Sequence, residues 1–312
     1  MKKTITKQTK QKTTKPLLSA GHNACAGCGQ MIAARAVVDA VGPNSIFTNA
    51  TGCLEVTTTA YPQSAWGMPW IHSLFENAAA VASGVSAAVK NKGGKDKTKS
   101  IKVVAQGGDG GTFDIGFGLI SGMWERGDQM LYVCYDNEAY ANTGIQASGA
   151  TPYGANTTTT PAGKGKSLDA IGSHLRKKDM IAIALAHGLK YVALTTAGHP
   201  DDIKQKIKKA LQTEGPSYVQ ILVPCIPGWK IAPSDAVKMG KLAAQTGLYP
   251  LLEYENGKLT NAIKIPKPKI KVEEYLRLQG RFKHLFKDKT GADQIKIIQE
   301  IANANIEKYG LA

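Results

Sequence analysis

Short apolar segments alternate with helical ones from Gln30 to Val223, and that alternation leaves few folds open. Helical composition over 30–41, 72–91, 113–126, 179–188 and 201–212 interleaves with strand-like runs at 45–49, 101–105, 130–135, 191–195 and 217–223. Such a pattern predicts an α/β fold: a doubly wound, mainly parallel sheet with helices on both faces. Ligands of these sheets bind outside the carboxyl ends of the strands. Residues 49–53, 107–111, 136–142 and 224–225 each follow a predicted strand, so all four segments should share one edge of the sheet. The stretch 143–166 has no period and is rich in Gly, Ala, Thr and Pro. A structureless run of that length inside a domain predicts a lid or binding loop.

The totals narrow the class. A chain of 312 residues, 43% hydrophobic, can bury a large core. No apolar run is long enough to span a bilayer, so no membrane association is expected. The first fifteen residues carry Lys2, Lys3, Lys7, Lys10, Lys12 and Lys15 and no acid. No apolar segment follows them, which argues against a secretory signal and for a cytoplasmic location. The basic arm is expected to lie along a partner. The formal charge of +15 suggests nucleic acid at first sight, but the lysines are scattered and no nucleic-acid-binding motif accompanies them. An acidic protein partner, such as a small electron carrier, accounts for the charge through steering. A solvated surface with a solubilising arm accounts for it equally well.

Five cysteines without a secretory signal favour metal or redox use over disulfides. Cys25 and Cys28 form a CxxC in a glycine-rich loop, Cys53 follows twenty-five residues later, and Cys225 is remote. Structural zinc sites usually pair two such knuckles, and there is no second one. One CxxC with two separated cysteines suits a 4Fe-4S cubane. Spacing alone leaves a cluster, a zinc ion and unliganded thiols all open. Cys134, inside the apolar strand LYVCYD, reads as a buried core thiol.

The turn Gly107-Gly108-Asp109-Gly110-Gly111 lies between a strand and a helix. A dinucleotide fingerprint counted from Gly108 would need glycine where Phe113 stands, so that motif is excluded. Exposed amides at a helix start favour a diphosphate, and the Asp can hold Mg²⁺ on its oxygens. A tight βα turn with a capping Asp is the plainer reading. Asn137, twenty-eight residues after Asp109 at the next strand end, favours the diphosphate.

These stretches together resemble the β subunit of the pyruvate and 2-oxoacid:ferredoxin oxidoreductases. The matching runs are GHNACAGCG (21–29), NATGCLEVTTTAYP (49–62), FENAAAVASG (75–84), GDGGTFDIG (108–116), LYVCYDNEAYANTGIQASGATPYGA (131–155) and EGPSYVQILVPC (214–225). The resemblance implies thiamine diphosphate, Mg²⁺ and one proximal 4Fe-4S cluster, used for oxidative decarboxylation with electrons passed to ferredoxin. It implies Cys25, Cys28, Cys53 and Cys225 as cluster ligands. Asp109, Asn137 and the Ala139 carbonyl would be Mg²⁺ ligands. Gly108, Gly110 and Gly111 would present backbone to the diphosphate. Asn142 would reach the reacting end of the cofactor, and Gln30 would contact it. A partner subunit would supply the thiamine-activating Glu, and another would carry further clusters. Glu55, Glu76 and Glu138 of this chain are expected to be structural.

The implied organisation is a basic arm (1–18), a domain for thiamine diphosphate and the cluster (19–228), and a C-terminal extension (229–312) that wraps a partner or its own domain. Asn23 and Ala147 stand where pyruvate-using relatives are expected to carry Arg. Another oxoacid, such as oxalate used without coenzyme A, is therefore an alternative to pyruvate. A non-redox thiamine decarboxylase and a zinc-stapled, basic nucleic-acid-binding protein are the remaining alternatives.

Overall fold

The computed structural model describes residues 15–92, 101–163 and 171–312. Most of the basic arm and the end of the 143–166 loop lie outside the described residues.

Among the described residues, eight strands form one sheet. In chain order the elements are α1 (Gly29–Val41), β1 (Ser45–Asn49), α2 (Cys53–Thr58), β2 (Trp70–His72), α3 (Ala78–Lys92), β3 (Lys102–Gly108), α4 (Phe117–Glu125), β4 (Leu131–Asp136), α5 (Met180–Ala186), β5 (Tyr191–Thr196), α6 (Pro200–Gln212), β6 (Ser217–Leu222), α7 (Ile226–Trp229), α8 (Ala236–Gln245), β7 (Leu252–Glu255), β8 (Lys258–Ala262), α9 (Val272–Arg277) and α10 (Lys289–Lys308). A single π-helical turn, Gly110–Asp114, precedes α4, and a 3₁₀ segment, Gly280–Phe286, follows α9.

The strand order is β2-β1-β3-β4-β6-β5-β7-β8. The first six strands are mutually parallel, and β7 and β8 join antiparallel. The central strands β4, β5 and β6 are buried at every position, as expected of a parallel sheet covered on both faces. Their side chains divide by parity. Tyr132, Cys134 and Tyr218 join one core with Met123 and Trp124 of α4. Val133, Tyr135, Val219 and Ile221 join the other, with Val37 and Val38 of α1 and Ile203 and Ile207 of α6. Each such aliphatic side chain, fully buried, contributes about 1.5–3 kcal/mol.

One feature differs from the sequence reading. Helix α3 begins at Ala78 rather than near His72. Trp70–His72 instead pair with β1 as an edge strand, and the Asn77 carboxamide accepts a hydrogen bond from the Leu74 amide just before the helix. Trp66 stacks on Trp70 at 5.7 Å, an aromatic pairing that suits a strand and its neighbouring loop. Residues 229–312, read as an extension that wraps a partner or its own domain, pack against the residues that precede them. Strand β7 pairs with β5 across Tyr191–Leu194, and Trp229, Tyr275, Phe282 and Ile298 share a core with Tyr132 and Tyr218. No helix among the described residues is long and apolar enough to cross a membrane.

Candidate cofactor site

Strands β1, β3, β4 and β6 are neighbours, so their carboxyl ends open onto one edge, as expected from the sequence. A cavity of about 190 Å³ lies there. Gly108, Asp109, Gly110, Asn137, Ala139 and Asn142 line it together with Gln30 and Cys53. Gly111 sits just behind, where an added side chain would press on Ala50 and the Phe75 carbonyl, at 3.3 and 3.2 Å.

Local packing explains why the glycine turn needs its glycines. A Cβ at Gly110 would collide with the Tyr140 ring, which is held by a hydroxyl hydrogen bond to Asp114 at 3.1 Å. Tyr140 stands edge-on to Phe75 with 5.9 Å between centroids. The backbone of 108–111 can thus approach a ligand more closely than any substituted chain.

Asp109 is buried. One of its carboxylate oxygens accepts from the Asn137 amide at 3.2 Å and the other from the Ser148 hydroxyl at 2.5 Å. Burial, and then the neighbouring Asp136 carboxylate, hold its pKa well above the usual carboxylate range. The Asn137 Oδ1 accepts from the Ala139 amide at 3.2 Å. The buried Oδ1 of Asn49, which lines the same cavity, has no hydrogen-bond partner among the described residues. The donor set is therefore all oxygen, hard and short of positive charge, and it fits a divalent cation such as Mg²⁺.

Sequence reasoning missed several supporting residues. Ser148 comes from the loop after Asn142, which brings its hydroxyl back to Asp109. The loop's backbone is tied by Tyr140 N–H to the Gln146 carbonyl, and Thr151 donates to the Glu138 carbonyl. Behind the turn, Lys177 pairs with Asp136 at 2.5 Å and Glu138 at 2.9 Å, and Arg281 pairs with Glu138 at 2.6 Å. Only the placement of 136–138 at a strand end hinted at them, and their partners lie 39 to 143 residues away.

The thiols form a rim beside this cavity. Cys28 precedes α1, Cys53 opens α2 and Cys225 precedes α7, so three of the four stand at helix starts whose amides favour negative sulfur. The Gly29 amide donates to the Pro224 carbonyl at 3.2 Å, and a Cβ on Gly29 would lie 2.7 Å from Pro224 N. Glycine there lets the CxxC loop meet the Pro224-Cys225 turn. Burial pushes the Cys53 thiol up to about 12, with Cys225, Cys28 and Cys25 adding to the shift. Burial likewise raises Cys225 to about 11, against the Gly228 amide, and raises Cys28. Cys25 is exposed and Cys134 is fully buried in the core. Among the described residues, no three His, Cys, Asp or Glu side chains stand close enough to hold a metal ion as they are arranged. The four thiols thus feel one another without converging on one point.

Residues 50–221 match the family described as thiamine pyrophosphate enzyme, C-terminal TPP binding domain. The chain is 51% identical to pyruvate synthase subunit PorB of Methanosarcina barkeri, over 95% of this chain and 98% of that one. It is 45% identical to the same subunit of Pyrococcus furiosus, over 91% of each. It is 43% identical to ketoisovalerate oxidoreductase subunit VorB of Pyrococcus abyssi, over 90% of each. In fold it resembles a 2-oxoglutarate:ferredoxin oxidoreductase from Magnetococcus marinus, with a TM-score of 0.55 at 24% identity, covering 74% of this chain and 82% of that one. The chain belongs to the thiamine-diphosphate-binding β subunits of the 2-oxoacid:ferredoxin oxidoreductases.

Proposed function

We propose that this chain is the cofactor-binding subunit of a pyruvate synthase, holding thiamine diphosphate, Mg²⁺ and one 4Fe-4S cluster. The observation that carries the reading is the shared cavity: Asp109, Asn137, Ala139 and Cys53 all line it. In this reading Asp109, Asn137 and the Ala139 carbonyl hold Mg²⁺. The amides of Gly108, Gly110 and Gly111 receive the diphosphate, Asn142 stands at the reacting end, and Gln30 closes the cavity. When bound, thiamine diphosphate supplies the means to remove CO₂ from a 2-oxoacid, and an adjacent cluster supplies an acceptor for single electrons. The chain's own task is to hold the two groups within one dry cavity and keep solvent protons out.

Cys25, Cys28, Cys53 and Cys225 are the cluster ligands in this reading. A cubane spaces its four thiolates more widely than a single tetrahedral ion does. Thiols that perturb one another without three converging suit the wider spacing. Pyruvate is the favoured substrate because the PorB relatives, at up to 51% identity across nearly the whole chain, are named for it.

The active unit in this reading is a heteromer. The segment bordering the cavity leaves Val56, Tyr61, Ile71 and Leu74 exposed, Tyr61 by 97%. Val56 itself lines the cavity mouth, where a partner would bring the activating Glu. Further clusters on another subunit and then ferredoxin would take the electrons onward, and the net charge of +15 favours acidic carriers.

The test is anaerobic purification of the complex and assay with pyruvate, 2-oxoisovalerate, 2-oxoglutarate and oxalate, each with and without coenzyme A. Coenzyme A-dependent dye reduction with pyruvate, and about four irons per chain beyond those of the partners, are expected. Stoichiometric zinc in place of iron, or preference for oxalate without coenzyme A, would overturn it.

A further inference from the structure

Asn137 and Ala139 open onto the cofactor cavity, whereas Glu138 lines a second cavity of about 320 Å³ on the opposite side. The alternation continues that of β4, whose side chains already divide between the two cores. The back side of this turn is gripped at consecutive residues. Lys177 Nζ bridges Asp136 Oδ2 at 2.5 Å and Glu138 Oε1 at 2.9 Å. Arg281 Nη2 takes the other Glu138 oxygen at 2.6 Å. Trp229 Nε1 donates to the Asn137 carbonyl at 2.8 Å. Glu138 itself has a positive φ of 67°, a backbone state that a side-chain-bearing residue keeps only when its surroundings hold it.

We propose that Arg281, Lys177 and Trp229 are positioning residues that aim Asn137 and the Ala139 carbonyl at the cofactor's cation. This rests on the reading of Asp109 and Asn137 as cation ligands. The grip is well suited to that task. Pinning the side chains of 136 and 138 to one ammonium fixes the peptide units on both sides of Asn137. The indole hydrogen bond fixes the carbonyl of 137 directly. Arg281 is rigid in turn: its guanidinium lies 4.0 Å from the Trp229 ring centroid, and its Nε donates to Gln279 Oε1 at 2.9 Å. Trp229 and Arg281 both lie beyond residues 50–221, the thiamine-pyrophosphate-family match. The C-terminal segment therefore takes part in the site's geometry without touching the cavity that holds the ligand.

The deciding measurement is Mg²⁺-dependent thiamine diphosphate binding in the intact complex, by calorimetry at saturating thiamine diphosphate, alongside melting temperature without cation. Arg281→Met and Trp229→Phe should each raise the Mg²⁺ half-saturation by about tenfold, the scale of losing a group that orients a metal ligand. Occupancy should recover at high Mg²⁺, and Arg281→Lys should retain most of the affinity. Trp229→Phe keeps the ring and removes only the N–H, so it decides the matter if Arg281→Met does not fold. Asp109→Ala is measured in parallel. If it abolishes binding while Trp229→Phe and Arg281→Met change only melting temperature, the positioning role is wrong and the site stands. If Asp109→Ala leaves Mg²⁺-dependent binding intact, the site reading itself is wrong.

Discussion

The two sides of the 136–139 turn are built on opposite electrostatic terms. On the back, burial would raise the Glu138 carboxyl, but Lys177 and Arg281 outweigh it and hold the group below its ordinary range. Lys177, despite burial, is held above its own range by Asp136 and Glu138. Every charge there has a partner. On the front, the Asp109 carboxyl is pushed well up by burial and by Asp136, Lys177 opposes this only from a distance, and no cation among the described residues forms an ion pair with it. The chain pairs its charges where it must be rigid and keeps a carboxyl without an ion-pair partner where a ligand brings its own positive charge. Such a group holds its proton until a cation arrives to favour the ionised form, so it marks a place for a cation.

Breaking the front should have the largest effect on ligand and little on fold. Asp109→Ala removes the hard anionic ligand, and thiamine diphosphate affinity should fall by about 100-fold or more, the top of the range seen when only an orienting group is lost. Melting temperature without cofactor should hold or rise, because an unfavourable buried carboxylate goes with it. Cofactor retained undiminished through gel filtration of the variant would remove Asp109 from the site.

Breaking the back should cost the fold most, with the smaller ligand effect that follows from losing the turn's aim. Glu138→Ala strands the buried Arg281 and leaves Lys177 with Asp136 alone, and one-sided loss of a buried pair costs about 3–5 kcal/mol of stability. Denaturant unfolding of the cofactor-free chain measures it. A loss below about 1 kcal/mol, the size of an exposed pair, would mean that solvent already reaches the pair.

The front was legible in the sequence and the back was not. Asp109, Asn137 and Cys53 sit at the ends of strands whose apolar runs are plain, and ligand-binding residues at strand ends keep a fixed spacing along the chain. Arg281 reaches Glu138 across 143 residues through a 3₁₀ segment, and nothing local distinguishes it among 39 basic residues. Its partner is determined by the third dimension alone. The same holds for β7, which was read as part of an extension: whether such a strand joins β5 or a partner depends on the edge that the rest of the sheet leaves open. Helix α3 was read too early for another reason. Residues 72–77 carry helix-compatible composition, but the aromatic stacking of Trp66 on Trp70 and the pairing of Trp70–His72 with β1 override it.

The thiol rim sharpens the comparison through pH. In the folded, cluster-free chain burial pushes Cys53 up to about 12 and Cys225 up to about 11, above the ordinary value of 9.0. A group whose pKa is raised on folding stabilises the fold below its unfolded pKa, and that stability is lost as pH rises toward the folded value. Cluster-free protein should therefore lose stability between pH 9 and 11, each thiol contributing at most about 1.4 kcal/mol per pH unit, less for solvent screening. Cluster-bound protein should lack this slope, since ligated sulfurs carry no proton. Cys53→Ser with Cys225→Ser should flatten the cluster-free slope; an unchanged slope would trace it to other groups.

Cys134 offers the smallest effect and the cleanest control. It lies on β4 two residues before Asp136, on the same face of the sheet as the back of the turn, fully buried among Tyr132 and Tyr218. Its thiol is raised by burial first and then by Asp136, so it stays protonated and takes no part in the rim. Cys134→Ala removes one buried sulfur and should cost about 1–2 kcal/mol, as for a small core deletion. Iron content, visible absorbance and Mg²⁺ half-saturation should all be unchanged. Loss of iron from this variant would place a fifth cysteine in cluster binding. A shift in Mg²⁺ half-saturation alone would instead mean that small movements of β4 reach Asn137, and that the grip of Lys177 and Arg281 on the turn is looser than its geometry indicates.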